Sequence, residues 1–148
     1  MKAFLSIKYH PDLRNRARIE AIAAALEARG FETTCIARDV EQWGQLKFNA
    51  RELMTRTFAA IDACELMIVD LTEKGVGVGI EAGYAHAKNI PVVTIAQAGA
   101  DISETLCGVS RAVFRYDQAD DLTHAIEEMT HSFSGECFDD ETTVRNQS

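Results

Sequence analysis

The sequence has few basic residues, and this shortage limits what the protein can bind. Its 148 residues include 15 lysines and arginines against 23 aspartates and glutamates, giving a formal net charge of -8. A protein that holds nucleic acid through its phosphates needs a basic surface. The composition therefore argues against a nucleic acid polymer as partner. It leaves room for a nucleotide-sized ligand, because only the local charge of a pocket matters there.

Long apolar runs and clustered cysteines are also missing. No run approaches the ~20 apolar residues that span a bilayer, and the first residues, MKAFLSIKYH, do not form a signal peptide. The cysteines Cys35, Cys64, Cys107 and Cys137 are scattered, without a C-x-x-C pair. This spacing favours free thiols in a reducing compartment over a zinc site or disulfide framework. We therefore expect a cytoplasmic protein with no membrane contact, no metal and no cofactor.

Strand and helix patterns alternate along a chain whose apolar fraction, 47%, is sufficient for one core. Strands are predicted at 3–7, 31–36, 66–70, 91–96 and 112–116, and helices at 14–29, 50–64, from the end of a glycine-rich loop to about 88, and at 119–133. The alternation implies βαβ units. We predict an α/β fold with one domain, 1–133: a doubly wound, mostly parallel five-stranded sheet with helices on both faces, Rossmann- or flavodoxin-like. Residues 134–148 lack periodicity and are predicted to be a mobile or subunit-swapped tail.

The ends of the predicted strands indicate where a ligand would bind. In open parallel sheets, ligands bind beyond the carboxyl ends of the strands. Residues 6–10, 70–79 and 96–105 leave three of these ends. We expect the three segments to converge on one crevice.

The second of these segments is rich in glycine. Gly77 to Ala82 reads GVGIEA, which fits the dinucleotide fingerprint G-x-G-x-x-A after a strand and at the start of a helix. That fingerprint normally follows the first strand, whereas this one follows the third, and the acid expected about 20 residues later is matched only by Asp101, in a loop. A dinucleotide-binding oxidoreductase is therefore the weaker interpretation.

Glu81 has two interpretations. A carboxylate in the first turn of a helix is stabilised by the helix dipole, by ~0.3–1 kcal/mol, and needs no other role. The same dipole would keep Glu81 ionised for chemistry, while neighbouring glycines let a sugar approach the backbone closely. An ionised carboxylate can attack an anomeric carbon and form a glycosyl-enzyme ester.

The run CELMIVDLTEKGVGVGIEAGYAHAKNIPVV resembles the core of the nucleoside 2-deoxyribosyltransferase family. That family includes transferases, 2'-deoxynucleoside 5'-monophosphate N-hydrolases and cytidine-monophosphate N-hydrolases. Its signature G-x-G-x-E-x-G-x-A falls on Gly77, Gly79, Glu81, Gly83 and Ala85. The resemblance implies that Glu81 is the nucleophile and that the two leading glycines line the substrate. It extends more weakly from about residue 4 to 116.

The first predicted loop fits the same resemblance. Ser6-Ile7-Lys8 is similar to the loop that wraps the sugar and phosphate in the hydrolase members, and we assign these residues and Tyr9 to the substrate site. Lys8 would offer a cation to a 5'-phosphate. The alternative is an ordinary exposed lysine.

A later loop implies a second subunit. Asp101-Ile102-Ser103 matches a loop that in relatives reaches into a neighbouring subunit's site. The hydrolases place a phosphate-binding serine at the position of Ser103, and the transferases an asparagine. The resemblance thus implies a monophosphate substrate and a homo-oligomer, a dimer or higher. Alternatively, Ser103 is the N-cap of a helix that begins S-E-T-L.

One position departs from the family pattern. Relatives carry an aspartate on the helix before the third strand, where it assists departure of the base; the aligned position here is Thr57. A threonine cannot donate a proton near neutral pH. Candidate substitutes are Asp70, Tyr9 and His10, although we favour Asp70 as a cap of the glycine-rich stretch, and His10 has the alternative of a turn residue.

We therefore predict an enzyme of the N-glycoside hydrolase or transferase type. The expected reaction is cleavage of the base-sugar bond of a nucleoside 5'-monophosphate, or of a nucleoside, through Glu81. The alternatives are a nucleoside 2-deoxyribosyltransferase and a non-catalytic nucleotide-binding module of the same fold, because Thr57 replaces the acid.

Overall fold

A computed structural model describes residues 1–134 of the chain. Within them, strands and α-helices alternate in the order β1 (Lys2–Ile7), α1 (Arg16–Glu27), β2 (Glu32–Thr34), α2 (Ala50–Asp62), β3 (Leu66–Asp70), α3 (Val76–Ala87), β4 (Val92–Gln97), α4 (Glu104–Val109), β5 (Ala112–Tyr116) and α5 (Ala119–Ser134). The predicted tail lies outside the described residues, except for Ser134, which ends α5.

The five strands form one sheet in the order β2-β1-β3-β4-β5, and every neighbouring pair is parallel. This is the order of flavodoxin-like folds, and it confirms the predicted fold class. The chain changes direction across the sheet between β1 and β3, where Ile7 is paired with Asp70. The topological switch point therefore lies at the carboxyl ends of these two strands.

Helices cover both faces of the sheet. On one face α1 and α5 pack against alternate strand residues, among them Leu5, Ile68 and Ile95. On the other face α2, α3 and α4 pack against Phe4, Met67 and Val92 and their neighbours. All five residues of β3 are buried, as expected for a central strand covered on both faces.

The glycine-rich stretch is not the loop that the sequence predicted. α3 begins at Val76, so Gly77 and Gly79 are helical residues and Glu81 lies beyond the first turn. Glycine disfavours a helix by about 1 kcal/mol per residue relative to alanine. Burial of Val78, Ala82 and Ala85 against the sheet overrides that preference.

Two other segments differ from the prediction. β2 is only three residues long, because a π-helical turn, Ile36–Val40, follows it; a strand to residue 36 was predicted. The short helix α4 was predicted only by the alternative interpretation of Ser103 as an N-cap, and of its six residues only Leu106 is buried. None of the helices among residues 1–134 is both long enough and apolar enough to cross a bilayer.

Candidate active site

The side chains of Ser6 and Glu81 meet at the switch point. Ser6 lies near the end of β1 and is 1% exposed, while Glu81 projects from α3. The Ser6 hydroxyl donates a hydrogen bond to Oε2 of Glu81. The bond fixes one carboxylate oxygen and joins the end of β1 to the glycine-rich helix α3.

The environment of Glu81 makes its carboxyl group more basic. Burial raises the pKa of Glu81 to about 7, against an opposing effect of the Ser6 hydrogen bond, which favours the ionised form. The expectation that Glu81 lies in the first turn of a helix is wrong, because α3 begins five residues earlier. The helix dipole acts mainly within the first turn.

Gly77 leaves space beside Glu81. The two residues are four apart, so they share one face of α3. No atom lies within 4 Å of the point where a Cβ on Gly77 would be, and its φ is negative. Neither packing nor backbone conformation within residues 1–134 therefore requires glycine at this position. The open space is what a sugar approaching Glu81 would need.

Lys8 lies over the beginning of α3. Its Cγ is 3.5 Å from the point where a Cβ on Gly75 would be, and Gly75 is the N-cap of α3, without a side-chain cap hydrogen bond. Unpaired amides at a helix N-terminus attract anions. Lys8 and this helix end thus form a positive site one turn and a half from Glu81.

The other members of the first loop differ in exposure. Ile7 is half-buried. Tyr9 is 44% exposed, and its hydroxyl is 3.7 Å from the point where a Cβ on Gly44 would be. Tyr9 is therefore an exposed residue beside the segment that follows the π-helical turn.

His10 connects two loops. It is 5% exposed, and its Nε2 lies 2.6 Å from Oε2 of Glu73. Its carbonyl accepts a 2.8 Å hydrogen bond from the amide of Leu13, which agrees with the turn interpretation. Glu73 was not among the predicted site residues, and the only signal for it in the sequence is its place two residues before Gly75.

Asp70 is fully hydrogen-bonded inside the protein. Its Oδ1 accepts a 2.8 Å bond from the amide of Thr72, and its Oδ2 accepts a 2.7 Å bond from the hydroxyl of Tyr116. Burial, with Asp70 as a lesser cause, raises the pKa of Tyr116 above its usual range. These bonds agree with the interpretation of Asp70 as a cap.

Thr57 lies on the buried face of α2, as predicted, and is 1% exposed. Its hydroxyl donates a 2.8 Å bond to the carbonyl of Leu53, one turn earlier in the same helix. The hydrogen bond of the Thr57 hydroxyl is thus made within its own helix.

A second cleft lies between α3 and α4 and has a volume of about 480 Å³. Its lining includes Gly79, Gly83, Lys74 and Ser103. Glu81 is two residues from either glycine, or about 200° around the helix, so it points away from this cleft. Residues of the second and third predicted segments, 70–79 and 96–105, line this cleft together. That the first segment joins them in one crevice stays a prediction.

Ser103 occupies the N-cap position of α4 but makes no capping bond. Its hydroxyl is 2.8 Å from that of Thr105 instead. Next to it, Lys74 pairs with Asp101 at 2.6 Å, which joins the second and third predicted segments. Ser103 thus lines the second cleft while its hydroxyl is bonded to a residue in the first turn of α4.

Metal ligands are not grouped in this part of the chain. Among residues 1–134 no three histidine, cysteine or acidic side chains stand close enough to hold an ion. Cys35 and Cys64 are buried free thiols, and Cys107 is an exposed one; Cys137 lies outside the described residues.

Comparison with known sequences identifies relatives along most of the chain, although no protein-family model matches it. A protein of Thermofilum pendens named "Putative 2'-deoxynucleoside 5'-phosphate N-hydrolase 1" is 24% identical over 139 residues, covering 91% of this chain and 96% of the relative. A protein of the same name from Syntrophotalea carbinolica is 28% identical over 127 residues, covering 82% and 89%.

Solved structures show the same fold. The CMP N-glycosidase of Clostridium botulinum superposes with a TM-score of 0.62 and 20% identity, covering 87% of this chain and 99% of the other. The 2-deoxyribosyltransferase of Bacillus psychrosaccharolyticus gives a TM-score of 0.62 and 16% identity, covering 83% and 90%. These two structures show the fold alone. The relatives found by sequence confirm two predictions: the chain resembles the nucleoside 2-deoxyribosyltransferase family, and it is an enzyme of the N-glycoside hydrolase or transferase type.

Proposed function

We propose that the protein is an N-glycosidase that cleaves the base-sugar bond of a nucleoside 5'-monophosphate, with Glu81 as nucleophile. The observation that carries this proposal is the hydrogen bond from Ser6 to Glu81 at the switch point of the sheet. The substrates in the names of the relatives, a 2'-deoxynucleoside 5'-phosphate and CMP, support the substrate class.

The geometry suggests how the carboxylate acts. Ser6 binds Oε2 of Glu81, which leaves Oε1 to attack C1' of the sugar. The C1'–N bond breaks, the base leaves with the bonding electrons and takes up a proton, and an ester joins C1' to Glu81. Water then cleaves the ester, releasing the sugar phosphate and restoring the carboxylate.

The phosphate would lie at the beginning of α3. Val76, the first residue of that helix, is about 7.5 Å along the axis from Glu81, a distance comparable with the length of a ribose 5'-phosphate. Lys8 and the first amides of α3 would neutralise the phosphate charge. Both groups belong to the loops that also place Ser6 and Glu81.

Ser103 would contribute from a second copy of the chain. It faces the cleft between α3 and α4, on the side of α3 away from Glu81. The lining of this cleft also includes Gly75 and Val76 at the beginning of α3. The contribution to a neighbouring site therefore rests on the resemblance of the Ser103 loop to one that reaches into another subunit in relatives, and not on the geometry of one chain.

Tyr9 is the substitute acid that the described structure leaves available. Asp70 has hydrogen bonds at both oxygens, and His10 is bound to Glu73. The structure describes no hydrogen bond from the Tyr9 hydroxyl within residues 1–134. We infer that Tyr9 protonates the departing base.

Release of free base tests the proposal. Wild-type protein is incubated with a panel of nucleosides and nucleoside monophosphates, and free base is measured by chromatography. We expect release from a monophosphate, and its loss in Glu81→Gln with ligand binding retained. Glu65→Gln is the matched control, since Glu65 accepts a 2.9 Å bond from the amide of Lys2 at the opposite end of β3.

The outcomes separate the competing functions. No release by the wild type from any substrate would favour a binding module, and undiminished release by Glu81→Gln would reject the nucleophile. A second base added to the reaction distinguishes a transferase, because a new nucleotide then forms at the expense of free sugar phosphate.

A further inference from the structure

A buried histidine ties together the two loops that surround the proposed phosphate site. His10 Nε2 lies 2.6 Å from Glu73 Oε2, and the two side chains are 6% and 38% exposed. His10 is two residues after Lys8, and Glu73 is two residues before Gly75. The contact therefore joins the loop that carries the cation to the loop that begins α3.

The first loop is held rigid on the other side of the contact. The side-chain amide of Asn15, a buried residue, donates a 2.8 Å hydrogen bond to the carbonyl of Lys8. The amide of Leu13 closes a turn onto the carbonyl of His10. With the His10–Glu73 contact, these bonds leave Lys8 little freedom to move away from Gly75, against which it packs.

The contact also affects the ionisation of Glu73. The hydrogen bond from His10 lowers the pKa of Glu73, and the charges of His10, Lys8 and Arg14 lower it further. Glu73 is therefore an ionised carboxylate beside the proposed phosphate position. Left unpaired, it would attract Lys8 towards itself and repel a phosphate.

We propose that His10 and Glu73 are a positioning pair that holds Lys8 over the N-terminus of α3 and so sets the preference for a 5'-monophosphate over the nucleoside. This inference rests on the proposed function. Neither side chain takes part in bond cleavage, so their effect should appear in substrate affinity and not in turnover.

Glu73 variants test the pair, because a half-exposed side chain can be changed without loss of folding. Glu73→Ala removes the tether and the charge, whereas Glu73→Gln removes the charge but keeps a hydrogen-bond partner for His10. Glu65→Ala is the matched control at the other end of β3. For each variant, KM and kcat are measured with a monophosphate and with its nucleoside.

We expect Glu73→Ala to raise the ratio of the monophosphate KM to the nucleoside KM about tenfold, the effect of losing a hydrogen bond to a charged group. kcat should stay within about twofold of wild type, and Glu73→Gln and Glu65→Ala should leave the ratio unchanged. An unchanged ratio in Glu73→Ala would overturn the proposal. So would an equal loss in Glu73→Gln, because charge and not the tether would then be responsible.

Failure of the proposed function is recognised separately. If the wild type releases no base from any substrate, the proposed activity is rejected. The pair is then tested by calorimetry, with dissociation constants for a nucleoside monophosphate and for its nucleoside replacing KM. If Glu73→Ala binds the monophosphate more weakly than wild type but binds the nucleoside equally well, the proposed role of the pair is supported. Equal affinities in all variants would overturn it.

Discussion

The hydroxyl of Ser6 donates a hydrogen bond to the carboxylate of Glu81 across 75 residues of sequence. One residue comes from the first strand and the other from the helix that follows the third. The two strands are neighbours in the sheet, so parallel pairing brings both residues to the same edge. The site is therefore built by the topology of the fold, not by a local motif.

Ser6→Ala is expected to make Glu81 harder to ionise. The Ser6 hydrogen bond favours the carboxylate, so its loss leaves burial unopposed and moves the pKa of Glu81 above its value of about 7. Base release at pH 7 should fall about tenfold, and the acid limb of the kcat/KM profile should move to higher pH. Ser110→Ala serves as control, and an acid limb that stays in place would contradict the role of Ser6.

Glu81→Gln is expected to stabilise the fold at high pH. The pKa of Glu81 is raised from 4.5 to about 7 on folding, so the stabilising contribution is full below pH 4.5 and is lost as pH rises through 7. Glutamine has no such loss. The variant should gain about 2 kcal/mol relative to wild type at pH 8, with little difference near pH 5.

Thermal melting across pH 5 to 8 measures this effect. The melting temperature of the Glu81→Gln protein should exceed that of wild type by several degrees at pH 8. Glu65→Gln should show no pH-dependent gain in melting temperature, since the carboxyl group of Glu65 is exposed. Parallel melting curves for wild type and Glu81→Gln would mean that burial does not raise the pKa of Glu81.

Gly77→Ala is expected to raise the stability of the fold and to lower the activity. A Cβ at this position meets no protein atom within 4 Å, and alanine favours a helix by about 0.5–1 kcal/mol over glycine. The methyl group would occupy the space beside Glu81 that a sugar needs, so base release should fall at least tenfold. Gly108→Ala, equally open, should keep full activity; an active Gly77→Ala would disprove the close approach.

Thr57→Val is expected to keep the activity. The Thr57 hydroxyl bonds to the carbonyl of Leu53 in its own helix, and such a bond adds little to stability. Valine has nearly the same shape, so kcat should stay within about twofold of wild type. A large fall in kcat with normal melting would show that the hydroxyl acts on the departing base after all.

Mixed oligomers test the contribution of Ser103 to a neighbouring site. Glu81→Gln and Ser103→Ala chains are each defective alone. If one chain completes the site of another, a mixed dimer contains one doubly defective site and one intact site. Refolding the two variants together should then restore a monophosphate KM like that of wild type, and no recovery would place Ser103 outside the shared site.

The sequence predicted best where burial alone decides the structure. β3 has the predicted bounds, 66–70, because a strand inside a parallel sheet reads as a short apolar run. β5 also has its predicted bounds, 112–116, although it is an edge strand in which only Tyr116 is buried. The prediction from sequence failed at the start of α3. The local preference of Gly77 and Gly79 is against a helix, and the tertiary packing that overrides it cannot be seen in a sequence window.

The same limit applies to the site. Glu81 and Ser6 stand out through the family signature and the first loop, but their hydrogen bond joins distant segments. The pKa of Glu81 depends on burial, which a sequence does not show. The pairing of His10 with Glu73 is likewise 63 residues apart, so neither residue type nor spacing could reveal it.

The basicity of Glu81 also bears on the lifetime of what it forms. A carboxylate that holds its proton tightly is a strong nucleophile but a poor leaving group. On the proposed mechanism, hydrolysis of the ester would therefore be slower than its formation. Base would appear in a rapid burst before steady turnover. Acid quenching during that burst would trap the sugar phosphate on the chain, where the added mass identifies Glu81 by peptide mapping.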